Sequence, residues 1–283
     1  MNRKYLIVVA IAAGALLCQT APGLASILGT AEDFAVLGGS TVTNTGPTLI
    51  TGNLGVSPGS AVTGFPPGIF VGGGAVYSGG AVAAQAQTDL TAAYIGLAGM
   101  PVNSNLSSQD LGGLTLASGV YRFDTSAQLT GTLTLDAQGN NNAFWVFQIG
   151  STLTTASGSL VDVINLGSND GKDDGVFWQV GSSATIGVGT MFEGNILALT
   201  SITLNTGATI PNGRALARNG AVTLDTNAIS IVCPNGGPGY SGGLKYDTNG
   251  TTVAPVPEPC TMLLLGSGLV GLVAWRRRSR SAA

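Results

Sequence analysis

Residues 201–208 read SITLNTGA and residues 221–228 read AVTLDTNA, a recurrence after 20 positions in which Thr203 meets Thr223 and Thr206 meets Thr226. Both segments alternate apolar and small polar side chains, the two-residue period of a strand with one buried face. Gly, Asn or Asp stands where the chain has to turn. A second echo pairs FQIGSTLTT (147–155) with WQVGSSATI (178–186). LTGTLTLDA (129–137) alternates in the same way, which points Leu129, Leu133 and Leu135 inward and Thr132 and Thr134 outward. Strands that recur at about 20 residues suit a solenoid whose laps stack like rungs, each too thin to bury its apolar face without neighbours. A β-sandwich also uses strands this short, but its strands rarely resemble one another. The expected fold class is therefore mostly β, a β-solenoid (β-helix).

One segment departs from the pattern. In GGAVAAQAQTDLTAAYIGLAGMP (79–101), Val82, Ala86, Leu90, Ala93 and Leu97 follow each other at spacings of three and four, while Gln85, Thr88 and Asp89 lie off that stripe. This predicts one long α-helix at about 79–98. Ser78 stands near its start, and Gly99 followed by Pro101 ends it.

Charge is scarce, at 9% of residues, and histidine is absent. The missing imidazole removes the side chain most used for proton transfer near neutral pH and the commonest transition-metal ligand. Neither a cofactor nor a metal is expected, and the chain does not read as an enzyme. Residues 26–255 hold five basic side chains (Arg122, Lys172, Arg214, Arg218, Lys245) against thirteen acidic ones, a net charge of −8. No basic patch is available for nucleic acid. With 44% hydrophobic residues the chain can bury a core despite its 44 glycines and 30 threonines, so disorder is not the reading. Cys233 is the one cysteine outside the two ends, so that region forms no internal disulfide.

Both ends carry export signals. Arg3 and Lys4 precede an apolar stretch from Tyr5 to Cys18, and Gly23-Leu24-Ala25 supplies small residues at the positions a signal peptidase reads, so residues 1–25 are expected to be a signal peptide cut after Ala25. A lipoprotein signal at Cys18 is the alternative, with Leu17 large for it. At the other end, Pro257-Glu258-Pro259 is followed by an apolar segment at 260–275 and by Arg276, Arg277 and Arg278. Sixteen residues reach about 24 Å as a helix, against a hydrocarbon core of about 30 Å. The arginines favour the cytoplasmic side, leaving the rest of the chain outside; the alternative is a buried core helix. Residues 236–256, rich in Gly, Pro and Thr, read as a linker that follows a domain at 26–235.

The order of Pro257-Glu258-Pro259, apolar segment and arginines resembles the PEP-CTERM sorting tail. That resemblance implies an exported protein at the cell surface or in the medium, held in the inner membrane through 260–275 before a sorting protease acts. A second resemblance covers nearly all of 28–230. It runs through EDFAVLGGSTVTNTGPTLITGNLGVSPGSAVTGFPPG (32–68), the Ala-rich helix, GLTLASGVYRF (113–123), FWVFQIGSTLTT (144–155), VFWQVGSSATIG (176–187), FEGNILALTSITLNTGATI (192–210) and NGRALARNGAVTLDT (212–226). These segments are similar to the microbial ice-binding (antifreeze) protein family. The likeness implies a right-handed β-solenoid with one helix packed alongside.

That family often carries Thr-(Ala or Gly)-x-(Thr or Asn) on its ice-facing side. Thr45-Gly46-Pro47-Thr48 and Thr206-Gly207-Ala208-Thr209 match it, Thr155-Ala156-Ser157-Gly158 departs at its last position, and Thr226-Asn227-Ala228-Ile229 departs at the second and last. The resemblance makes Thr45, Thr48, Thr155, Ser157, Thr206, Thr209 and Thr226 the candidate ice-binding residues. Threonine at equivalent positions of successive rungs would form a grid at about 4.8 Å, each offering a hydroxyl and a methyl in few rotamers. The other reading of each threonine is that it suits an exposed strand or turn.

The expected function is adsorption of a monomer to an ice crystal surface through a flat Thr-rich face. The alternative is a structural or adhesive protein of the cell surface that binds extracellular polysaccharide. Asn169-Asp170-Gly171-Lys172-Asp173-Asp174-Gly175 reads as an acidic solvated turn, or as a Ca²⁺ loop without the EF-hand spacing. Arg214 and Arg218 read as braces between adjacent laps, with a corner expected within 213–218. The aromatics Phe144, Trp145, Phe147, Phe177 and Trp178 read as core.

Overall fold

The computed structural model describes residues 26–232, 239–246 and 252–253. The expected signal peptide, Cys18, Cys233 and the sorting tail with Pro257, Glu258, Pro259 and the apolar segment 260–275 lie outside the described residues.

Successive laps of the chain add parallel strands to three walls. A nine-stranded sheet runs Val76–Ser78, Asn53–Val56, Phe34–Gly38, Gly213–Ala217, Gly194–Ala198, Gly175–Val180, Phe144–Ile149, Gly119–Phe123, Ser104–Asn105. A seven-stranded sheet forms the second wall, and sheets of three and four strands, joined by bridges through Met191, form the third. The sequence echoes are register partners: Thr203 lies beside Thr223, Phe147 beside Trp178, and Thr154 beside Thr185.

Spatial order differs from chain order. The strands within 34–78 build one end of the stack, and helix α1 (Gly80–Ala98) then carries the chain to the other end. Its 19 residues rise about 28 Å, most of the roughly 38 Å that separate the outer strands of the nine-stranded sheet. Later laps work back until Ala215 and Leu216 pair with Val36 and Leu37.

The core lies in two layers. Inside the laps, Trp145, Phe147, Trp178 and Phe192 are buried with the inward leucines, and the Phe147 and Trp178 rings stack at 3.9 Å. Outside the nine-stranded sheet, Val120, Val146, Phe177, Leu197 and Leu216 pack against Ala86, Leu90, Ala93 and Leu97 of α1. This helix-side sheet is therefore buried on both faces, which is why its strands read as continuous apolar runs.

Several expectations need correction. Val82 is 51% exposed and Ala83 takes the buried place instead, because small side chains let the helix pack on the neighbouring stripe. Ser78 does not cap α1; it belongs to a strand and donates to the Ser60 carbonyl, and Gly79 is the cap residue. No corner interrupts Gly213–Ala217. Arg214 shares the Leu216 side because α1 and the N-terminal segment cover that side. Arg214 donates to Asn195 of the adjacent lap, and Arg218 sits 4.6 Å from the Tyr94 ring of α1. The described part of the expected linker is packed into the domain, with Tyr240, Ser241 and Leu244 buried. LTGTLTLDA is split by a corner between Ala127–Leu129 and Thr132–Asp136, with the inward leucines as expected.

Asp174 is fully buried, not solvated, and its Oδ1 accepts the Ala143 N–H at 2.9 Å. Burial, with a contribution from neighbouring Asp173, pushes its carboxyl up to about 6. Glu193 is pushed further, to about 8, by burial and by the charge of Asp162, while Asn212 donates to its Oε1 at 3.2 Å. Below the unfolded-chain value of about 4.3 both states of Glu193 hold the proton. Between that value and about 8 only the unfolded chain ionises, so stability falls as pH rises. Glu193→Gln is expected to flatten the fall over this window and to raise stability at pH 8, read from thermal melts across pH. An unchanged slope would mean that Glu193 ionises normally.

Candidate functional site

The seven-stranded sheet places one threonine of each of six neighbouring strands in a single row. Thr154, Thr185, Thr203, Thr223, Thr43 and Thr63 are successive register partners, and Gln128 precedes Thr154 at one end. Five sit between two inward residues, as Thr203 does between Ile202 and Leu204, and Thr63 follows Val62, which packs on the core, so pleat alternation turns all six outward. They are half-buried or exposed, because each side chain leans on the next. Thr43 Oγ1 donates to Thr223 Oγ1 at 3.4 Å.

A second row of small residues flanks the first, two positions earlier in each lap: Ser126, Thr152, Ser183, Ser201 and Ala221, each just before its strand, and Thr41 at the start of its own. Ser126 and Thr152 share a hydrogen bond of 2.8 Å, and the Ser183 and Ser201 hydroxyls accept the backbone N–H groups of Ser201 and Ala221. Rows lie about 6.6 Å apart along the strands and rungs about 4.8 Å apart across them. Neither row carries a charged side chain. The charges at their margins are Asp110, which pairs with Gln128 at one end of the row, and Asp225, whose carboxylate accepts from the hydroxyls of Thr206 and Thr226.

The third wall lacks this regularity. Thr115 and Thr134 share a row with Asp162, and Met191, Leu49, Ile69 and Val71 project from the rest. The wall under α1 is covered. A flat, uncharged hydroxyl and methyl grid is thus confined to the seven-stranded sheet.

The seven motif residues mark the corner between that sheet and the third wall. Thr45 ends its strand at the margin, while Thr206, Ser157 and Thr226 lie in the exposed turn and Thr209 has crossed to the third wall. Thr48 and Thr155 are corrections, at 0% and 4% exposure. Thr48 Oγ1 donates to Asn44 Oδ1 and accepts the Asn227 N–H, and Thr155 Oγ1 accepts the Gly187 N–H while bonding Thr190. Both turn inward because a corner leaves backbone groups without ladder partners, which buried hydroxyls and amides must satisfy.

The glycine of the motif has a backbone reason. Gly46 and Gly207 turn the corner at φ +81° and +72°, where a Cβ is strained, and Thr226 does so at +55°. A β-branched residue there costs about 1–2 kcal/mol, partly offset by the larger entropy loss of glycine on folding. Thr226→Gly is therefore expected to raise stability by about 0.5–1 kcal/mol, read as a higher denaturation midpoint. Destabilisation would show that the bond to Asp225 outweighs the strain.

None of the six row threonines, Thr43, Thr63, Thr154, Thr185, Thr203 and Thr223, is among the seven residues nominated from the sequence. The echoes already set Thr203 over Thr223 and Thr154 over Thr185. For Thr43 the signal is long-range, since its partner Thr223 lies 180 residues away.

Residues 36–230 match the family model described as Ice-binding-like, and residues 255–278 match the PEP-CTERM protein-sorting motif. An ice-binding protein of Nostoc sp. (strain HG1) is 55% identical over 284 residues, covering 99% of this chain and 98% of its own length. One of Flavobacterium frigoris (strain PS1) is 33% identical, covering 72% of this chain and 75% of its own. The crystal structure of an ice binding protein from an Antarctic biological consortium matches with a TM-score of 0.67 at 44% identity, over 75% of this chain and 93% of that one. That of an ice-binding protein from Antarctomyces psychrotrophicus matches with a TM-score of 0.67 at 38% identity, over 74% and 98%.

Proposed function

The chain belongs to the ice-binding-like family, and on that premise we propose that it adsorbs to ice through its seven-stranded sheet. The observation that carries this reading is the register row Thr154, Thr185, Thr203, Thr223, Thr43, Thr63. Its hydroxyls can donate and accept while its methyls exclude bulk water. Because β-branched side chains hold few rotamers, water ordered over the row costs little further entropy.

The laps form a right-handed β-solenoid with α1 alongside, a reading supported by the parallel ladders and by the structural relatives. The work of the protein is adsorption, not catalysis. The sorting motif at 255–278 supports export to the cell surface. Of the residues in the motif turns, Thr45, Thr206 and Thr226 form the margin of the contact face, with Ser157 beside them. Thr209 extends it around the corner.

The test is thermal hysteresis and ice-recrystallisation inhibition by the purified chain at micromolar concentration. Activity in both is expected. Its absence from both would leave polysaccharide binding at a cell surface as the better reading.

A further inference from the structure

We infer that a cleft beside the last turn of α1 is a binding site for a sugar acid, a small ligand with one carboxylate and several hydroxyls. The site lies on the helix-side sheet, away from the threonine row, and does not depend on the ice-contact reading.

The cleft encloses about 320 Å³ between Tyr94 and Ala98 of α1 and the strands Gly119–Phe123, Phe144–Ile149 and Gly175–Val180. That is the small end of the range of ligand cavities. Arg122, Gln148 and Gln179 line it and are successive register partners. The next two members of the same row, Leu197 and Leu216, are buried against α1. The row therefore changes from apolar to polar at the cleft.

Gln148 and Gln179 are only 5% and 7% exposed, and side-chain amides so buried require partners. Gln148 Nε2 has two, the Leu97 and Met100 carbonyls at the end of α1, at 2.8 and 2.9 Å. Its Oε1 has none among the described residues. The Gln179 amide approaches the Tyr94 hydroxyl, which itself donates to the Val180 carbonyl at 3.3 Å. Arg122 Nε donates to Asp124 at 2.8 Å, and its two Nη groups have no acceptor among the described residues.

Charge selects an anion. Arg122 is the one charged residue lining the cleft, and Arg218 lies over the Tyr94 ring at 4.6 Å. Two of the five basic side chains of an acidic domain thus stand at this one place. A guanidinium takes a carboxylate through paired N–H donors. Amides both donate and accept, as the hydroxyls of a sugar require.

The experiment titrates the isotope-labelled full chain with glucuronate and follows the side-chain amide resonances of Gln148 and Gln179. Both are expected to shift with a dissociation constant of about 1 mM, and glucose, which lacks the carboxylate, to bind at least about tenfold more weakly. Arg122→Ala should weaken glucuronate binding by at least about tenfold, and Ala98→Trp, which sets a large ring across the mouth, should abolish it. Both positions are exposed, so both variants keep the fold. A methyl glycoside of glucuronate that binds as well as the free acid supports the site and identifies the end of an acidic polysaccharide as its source. One that does not bind, while the free acid does, supports the site with the free acid as the ligand. No shift of either amide, equal affinity for glucose and glucuronate, or unchanged binding in both variants overturns the proposal and leaves the ice-contact reading untouched.

Discussion

Thr203→Tyr is expected to lower thermal hysteresis by about tenfold or more, with the melting temperature nearly unchanged. Thr203 stands mid-row, with Thr185 on one side and Thr223 on the other. A phenol there rises above the plane of its neighbours and holds an ice surface away from the rungs on both sides. A rigid flat face cannot yield around it, so the loss extends beyond the contacts of one residue. Stability should barely move, because Tyr suits a strand and outward substitutions usually shift stability by no more than about 0.5 kcal/mol.

Two comparisons locate the face. Thr134→Tyr lies on the third wall, in a row shared with Asp162, and should retain activity. Thr209→Tyr sits just past the corner and should give a partial loss. Full activity in Thr203→Tyr, with loss in Thr209→Tyr, would move the contact face to the third wall.

The division between what the sequence disclosed and what it hid follows the range of the interactions. Alternation is local, so the inward leucines and the outward Thr132 and Thr134 could be read directly. Repetition is also legible, because laps that pack on near copies keep near-copied sequences. The Thr-Gly-x-Thr motifs were legible too, but what they encode is the corner: a glycine at positive φ and buried groups such as Thr48 that satisfy turned backbone. The flat face depends on register between distant laps. Thr43 and Thr63 join the row because α1 lets the late lap 213–230 seat on the early lap 34–51, and no local pattern announces that. Val82 shows the same limit, since two stripes of α1 were nearly equivalent in sequence and packing against the sheet chose between them.

Stability should fail in a different place from adsorption. Arg214 is 1% exposed beneath the N-terminal segment. Its guanidinium donates to Asn195 Oδ1 at 2.7 Å, to the Glu32 carbonyl at 2.8 Å and to the Gly239 carbonyl at 3.1 Å. One side chain thus ties together two adjacent laps, the segment before the first strand and the segment that follows the last lap. Arg214→Leu keeps apolar bulk but strands these acceptors away from water, and with each buried acceptor left unpaired costing about 1–3 kcal/mol the loss should be about 3–5 kcal/mol. At about 2–4 °C per kcal/mol for a domain of this size, melting should drop by roughly 10 °C. Arg122 supplies the contrast: it is 52% exposed, bonds Asp124 at 2.8 Å, and Arg122→Ala should cost less than about 1 kcal/mol. Below its own melting point Arg214→Leu should keep its hysteresis, because Arg214 lies on the α1 side of the lap and does not touch the threonine row. A loss of hysteresis in still-folded Arg214→Leu would mean that the flatness of the row depends on how the α1 side is packed.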